Sequence, residues 1–244
     1  MLQIAICDDS QACIAEIYNY TESYFQQRHI SASIDTFSSA DNLLEKDCSI
    51  YDIFLLDVRM ESINGLAAGK QVRQVNSKAI IVYISEMIEY APMAYEVQAF
   101  RYLLKSDLAN AYSRCFDEII EELQRQKATF PIKTDLGNYY VPIKDILYIE
   151  SRKRLVTFHL SKETTAIRKE FECYGKLTDL EHTLSPYGFV LLQRGFLVNM
   201  ERILFISKTQ ATLDSGLTIP VSEKNHNEII RQYNLWKGVV GWKK

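Results

Sequence analysis

Over residues 1–126, short unbroken apolar runs take turns with longer stretches in which apolar residues recur three or four apart. The runs predict strands at 2–7, 30–37, 53–57, 79–84 and 100–104. The longer stretches predict helices at 12–27, 66–75 and 109–126, with shorter ones after Ser38-Ser39 and around 92–97. Ile53-Phe54-Leu55-Leu56 and Ala79-Ile80-Ile81-Val82-Tyr83-Ile84 are apolar at successive positions, which fits strands covered on both faces. Asn64-Gly65 supplies a turn. Five strands alternating with helices predict an α/β, doubly wound, parallel five-stranded sheet.

From 127 onward the pattern changes. Short β-rich runs with closely spaced turn residues predict strands near 139–143, 145–150, 155–160, 164–167, 189–192, 202–207, 210–213 and 217–221. Only 174–184 and 224–236 have helical spacing. The second half is therefore mostly β, and 244 residues divide naturally into two domains, 1–126 and 127–244.

Charge follows the same division. Residues 1–125 carry 10 Lys and Arg against 19 Asp and Glu, a net of −9; residues 126–244 carry 18 against 12, a net of +6. The two halves are expected to meet different partners. Five scattered cysteines without a CxxC pair fit free thiols in a reducing cytoplasm rather than a cysteine metal site. Met1–Ile6 lacks the basic start of an export signal, and no run is long and apolar enough to span a membrane. The expected location is cytoplasmic, with no membrane partner.

Candidate chemistry lies where apolar strands stop. Asp8-Asp9 follow the first, Asp57 the third, Ser85 the fourth and Lys105 the fifth. A strand-end Asp alone often starts a turn or caps a helix. In a doubly wound sheet, however, all these ends converge on one edge. Three clustered carboxylates need a cation, and hard oxygen ligands suit Mg²⁺. Lys105 and Ser85 can neutralise and hydrogen-bond an added anion. The set equips Asp57 to accept a phosphoryl group.

On Asp8-Asp9, Asp57, Ser85, Tyr102 and Lys105, the first half resembles the receiver domain of two-component response regulators, a flavodoxin-like fold. The resemblance implies that Asp57 is the phosphoacceptor, Ser85 a switch hydroxyl and Tyr102 a switch aromatic. It also implies that Asp9 binds Mg²⁺ directly, Asp8 largely through water, and that the Arg59 carbonyl adds a ligand. Ser106 stands where the family usually has a proline in a cis bond. The loop Met60–Gly65 keeps its glycine.

In the second half the four histidines have unrelated spacings and no glycine-rich phosphate loop appears. Basic and amide residues gather instead in predicted loops: Arg152-Lys153-Arg154, Arg168-Lys169, Gln193-Arg194 and Lys224-Asn225. Each could be a solvated surface, but these side chains also reach phosphates and base edges. The segments Val141–Glu150, Gln193–Asn199 and Ile219-Pro220-Val221-Ser222 resemble the LytTR DNA-binding domain over residues 131 to about 235. That implies reading residues near Arg152–Arg154, at Gln193-Arg194 and near Ser222–Asn225. Gln193, Gly195 and Glu223 stand where the family usually has histidine, serine and a basic residue.

Together the resemblances imply a transcriptional response regulator. A sensor histidine kinase phosphorylates Asp57, and the phosphorylated chain dimerises on repeated half-sites in double-stranded DNA. The receiver promotes its own phosphoryl transfer and dephosphorylation, but the protein is otherwise no enzyme. One rival is a phosphorylation-controlled module that binds protein through its basic half. A second is a phosphatase with Asp57 as nucleophile. Arg59 counts against the phosphatase, whose usual pattern has a second Asp there.

Overall fold

The structure, a computed structural model, describes residues 1–60, 64–162, 164 and 166–241. Residues 61–63 of the loop after Asp57, and Thr165 in the predicted 164–167 strand, lie outside that set. The described chain forms two compact units, 1–120 and 121–239.

The first unit runs β1 (Leu2–Cys7), α1 (Gln11–Gln27), β2 (Ala32–Phe37), α2 (Ala40–Leu44), β3 (Ile53–Leu56), α3 (Gly65–Val75), β4 (Ile80–Ser85), α4 (Ala91–Ala94), β5 (Arg101–Leu104) and α5 (Leu108–Lys127). The strands form one parallel sheet in the order β2-β1-β3-β4-β5. Every residue of β3 and β4 is buried. Each large apolar side chain so removed from water contributes about 1.5–3 kcal/mol. The helix starts are written locally. Ser10, Ser39 and Asn64 each accept a backbone N–H of the following helix with their side-chain oxygen. The predicted helix at 92–97 divides into α4 and a 3₁₀ turn that ends at Gln98 in the left-handed region, φ 54°.

Parallel register sets the strand ends level. Cys7 pairs with Leu56, Leu56 with Tyr83, and Ser85 with Leu104. The residues that follow β1, β3 and β5, and the last residue of β4, therefore meet at the carboxyl edge. The direction of strand order reverses between β1 and β3, the place where open α/β sheets bind ligands.

The second unit opens with a hairpin of β6 (Thr129–Thr134) and β7 (Gly137–Pro142). A five-stranded antiparallel sheet follows, ordered β10-β9-β8-β12-β11. Its members are β8 (Ile146–Arg152), β9 (Leu155–Leu160), β10 (Glu170–Tyr174), β11 (Phe189–Gln193) and β12 (Phe196–Asn199), with α6 (Leu177–Leu184) between β10 and β11. A three-stranded sheet of β13 (Ile203–Ile206), β14 (Gln210–Leu213) and β15 (Thr218–Pro220) precedes α7 (His226–Gly241). Side-chain alternation divides the central sheet between two cores. Ile149, Phe158, Phe189 and Leu197 join one with α6 and the β6–β7 hairpin. Leu147, Val190, Leu192 and Val198 join the other with β13–β15 and α7.

Three expectations need correction. The run 164–167 is no strand among its described residues. Thr164 Oγ1 donates to Asp145 Oδ2 at 2.7 Å and accepts from Ala166 N–H at 3.2 Å, so local side-chain bonds replace a ladder. The strand forms later, over Glu170–Tyr174, which pairs with β9 and delays the helix expected from 174 until Leu177. Phe196–Asn199, not predicted as a strand, is β12, an interior strand of the sheet between β8 and β11.

Candidate functional site

At the carboxyl edge of the first unit, Asp8 is 0% exposed, Asp57 6% and Ser85 1%, while Asp9 faces solvent. The backbone places the carboxylates. Asp57 N–H donates to the Cys7 carbonyl at 2.8 Å, and Ser10 N–H donates to Asp8 Oδ1 at 2.9 Å. Carboxylate oxygens of Asp8, Asp9 and Asp57 lie within 4.8 Å of one another. The ammonium of Lys105, itself mostly buried, sits 2.7 Å from Asp8 Oδ2 and 3.5 Å from Asp57 Oδ1. Asp8 Oδ2 is fully buried, with the Lys105 ammonium as its charged partner.

These distances explain the electrostatics. Burial raises the Asp57 carboxyl above its ordinary range; Lys105 pulls it down but does not cancel the burial, and Asp8 adds to the rise. Burial acts to deprotonate Lys105, yet Asp8 and Asp57 outweigh it and hold the ammonium well above its usual range. The Cys7 thiol is pushed up to about 12, by burial first and then by the three carboxylates, so it is inert packing beneath the site. Ser85 Oγ accepts from Met87 N–H at 3.4 Å. Tyr102 is half-buried, its hydroxyl donating to the Met87 carbonyl and its ring 6.3 Å from that of Tyr83. Arg59 is exposed two residues beyond Asp57.

The donor set suits a hard divalent cation. It has three carboxylates gathered on one edge, two buried and one facing solvent. It offers no thiolate or imidazole that would favour a softer metal. The Lys105–Ser106 bond is trans, and Lys105–Asp107 turn in a 3₁₀ helix.

Gly65 is the residue here whose importance sequence reasoning passed over. A β-carbon on it would lie 1.8 Å from the Asp57 carbonyl oxygen. Its own carbonyl accepts from the buried Tyr83 hydroxyl at 3.1 Å. The turn signal Asn64-Gly65 was visible; the close approach to Asp57 was not.

In the second unit the predicted loops become tight turns at one end of the central sheet. Arg152 pairs with Leu155 across a two-residue turn, with Lys153 at φ 62°, and Gln193 pairs with Phe196 across another, with Gly195 at φ 102°. Two backbone bonds tie the segments together: Ser151 N–H to the Gly195 carbonyl at 2.8 Å, and Ser222 N–H to the Leu192 carbonyl at 2.7 Å. Arg152, Lys153, Arg154, Arg194, Lys224 and Asn225 are exposed on this rim, and Gln193 and Ser222 are half-buried. Arg152 also pairs with Glu150 at 2.9 Å. Glu223 is exposed beside Lys224. Arg168-Lys169 does not join them. It precedes β10 at the opposite end, where Lys169 Nζ donates to the Lys162 and Thr164 carbonyls.

Comparison with known proteins finds both halves. Residues 4–112 match the response regulator receiver domain, and residues 137–234 match the LytTr DNA-binding domain. Transcriptional regulatory protein YpdB of Escherichia coli K12 is 25% identical over 165 residues. That match covers 62% of this chain and 65% of YpdB, just under two thirds of its length. Sensory transduction protein LytT of Bacillus subtilis is 24% identical over 244 residues, covering 94% of this chain and 98% of LytT. The response regulatory domain of protein mrkE from Klebsiella pneumoniae, a solved structure, aligns at 21% identity with a TM-score of 0.45. It covers 51% of this chain and all of that domain. The chain thus joins two families, residues 4–112 belonging to the response regulator receiver domain and residues 137–234 to the LytTr DNA-binding domain.

Proposed function

We propose that the protein is a cytoplasmic transcriptional regulator switched by phosphorylation of Asp57, with a receiver over 1–126 and a DNA-binding domain over 127–244. The observation that carries the switch is Lys105, held between Asp8 and Asp57 at the β1–β3 reversal of the sheet. A sensor histidine kinase supplies the phosphoryl group. An oxygen of Asp57 bonds to phosphorus as the bond from phosphorus to the histidine nitrogen breaks. Lys105 moves its ammonium onto the new phosphoryl oxygens, Ser85 donates its hydroxyl to another, and Tyr102 follows Ser85. Mg²⁺, held by Asp8, Asp9, Asp57 and the Arg59 carbonyl, supplies charge neutralisation at those oxygens when bound.

The basic rim of the second unit meets double-stranded DNA. Arg194 and Gln193 reach base edges from one turn. Arg152, Lys153 and Arg154 come from the next, and Ser222, Lys224 and Asn225 from the third. Phosphorylation promotes a homodimer that covers repeated half-sites. Two measurements test this reading. Asp57→Ala should take up no label from a small phosphodonor; labelling at the wild-type level would remove Asp57 as acceptor. Selection from random duplex DNA, with and without beryllofluoride, should enrich a repeated motif more strongly with it. No enrichment in either state would favour a protein-binding module.

A further inference from the structure

The rim has a fourth segment. β10 is the edge strand of the central sheet and ends at Tyr174, opposite Leu155 at the start of β9. The next residue, Gly175, donates its N–H to the Arg154 carbonyl at 3.0 Å. Tyr174-Gly175-Lys176 is thereby fixed beside the 152–154 turn. Tyr174 is 79% exposed, its ring and hydroxyl both open to solvent on this rim. Lys176 is exposed and its side chain makes no cap bond to α6. The four segments 152–154, 174–176, 193–195 and 222–225 hold six Lys and Arg against one carboxylate, Glu223. At the other end of the same sheet Asp145, Glu170 and Glu201 stand among the basic residues, so the charge bias belongs to one end.

Position separates the roles. Strands lie roughly 4.8 Å apart, so the rim is about 19 Å wide, whereas a major groove is about 12 Å wide. The turns at 152–154 and 193–195 occupy the middle of the sheet and one flank. The tip of β10 lies at the opposite edge, beside the 152–154 turn and farthest from the 193–195 turn, too far across to share the groove that the latter enters. A hydroxyl and an ammonium are groups that commonly bind the sugar–phosphate backbone.

We infer that Tyr174 and Lys176 form a backbone clamp for duplex DNA that adds affinity without choosing sequence. The inference rests on the DNA-binding reading above. It is tested with the full-length protein and beryllofluoride. The probes are a duplex carrying the enriched motif and a scrambled duplex of equal length, each titrated across a series of salt concentrations. If selection has enriched no motif, an arbitrary duplex replaces the first.

Lys176→Ala should reduce the slope of log affinity against log salt by about 0.9. It should weaken both duplexes about equally, by roughly three- to tenfold at low salt. Tyr174→Phe should weaken both by a smaller factor, and Lys176→Glu by a larger one. Thermal melts monitor folding of each variant. Arg194→Ala is the reference, expected to lose preference for the motif. An unchanged salt slope in Lys176→Ala, or a loss confined to the motif, would overturn the clamp while Arg194→Ala still reports DNA binding. Failure of the wild-type protein to bind either duplex would overturn the DNA-binding reading and the clamp with it.

Discussion

The two candidate sites of this chain are built in opposite ways. In the first unit the working groups are buried charges set by strand ends: Asp8 and Asp57 are almost wholly covered, and Lys105 neutralises them. In the second, most of the working groups are exposed side chains on turns, held in place mainly through the backbone beneath them. A buried charge cluster couples chemistry to folding, because each group is desolvated and depends on its partner. A solvated rim separates the two: surface substitutions away from special backbone positions usually shift stability by less than about 0.5 kcal/mol.

The largest effect should follow from breaking the buried cluster. Lys105→Met leaves Asp8 and Asp57 facing each other without a cation, and loss of one partner of a buried pair costs about 3–5 kcal/mol. Urea unfolding in chelator should report a loss of that size. A second change, Asp8→Asn, should recover part of it by removing one of the two repelling charges. Full stability in Lys105→Met would mean the cluster is not electrostatically strained.

Gly65→Ala should come next, at about 2–3 kcal/mol, since the new methyl group meets the Asp57 carbonyl and the backbone must shift. Phosphoryl uptake should fall with it. Gly238→Ala is the control. Nothing lies near a β-carbon at Gly238, which sits inside α7, so the change should leave stability unchanged or raise it by up to about 1 kcal/mol.

Asp57→Asn should act in the opposite direction. The Asp57 carboxyl titrates above its ordinary range in the folded chain, mainly through burial. Its contribution to stability is therefore full at low pH and is lost as pH rises through the folded value. Without metal, the wild-type protein at neutral pH bears the charged form, and Asn escapes it. The variant should melt higher than wild type in chelator at pH 7, with the gap closing near pH 4. Equal melting temperatures at both pH values would refute the sign.

The smallest change in stability should come from the rim. Arg194→Ala should stay within about 0.5 kcal/mol of wild type while losing roughly 1–3 kcal/mol of DNA discrimination. A variant that unfolds instead would show that the rim is not independent of the fold.

The same contrast explains what could be seen in advance. Asp8, Asp57, Ser85 and Lys105 were legible because each closes an apolar run, and a parallel sheet brings such ends level without further information. The rim residues were legible as loops, but their meeting was not. Arg168-Lys169 looks as basic as Gln193-Arg194, yet β10 begins where the former ends and carries it to the other end of the sheet. Register decides this, and register depends on partners far along the chain. Phe196–Asn199 escaped notice as a strand because it is only four residues long and follows β11 after a two-residue turn. Thr164 has strand-like neighbours, but one hydrogen bond to Asp145 diverts it.

The bonds from Ser151 to Gly195 and from Ser222 to Leu192 use main-chain atoms alone. The scaffold of the rim is therefore indifferent to the side chains it displays, apart from positions such as Gly195 that need a left-handed backbone. Paralogues built on this scaffold could drift apart in the operators they recognise while keeping one folding problem solved. An engineer could randomise positions 152, 154, 193, 194, 223 and 224 together and still recover mostly folded proteins. On the proposed reading, recognition is a replaceable label fixed to a permanent frame.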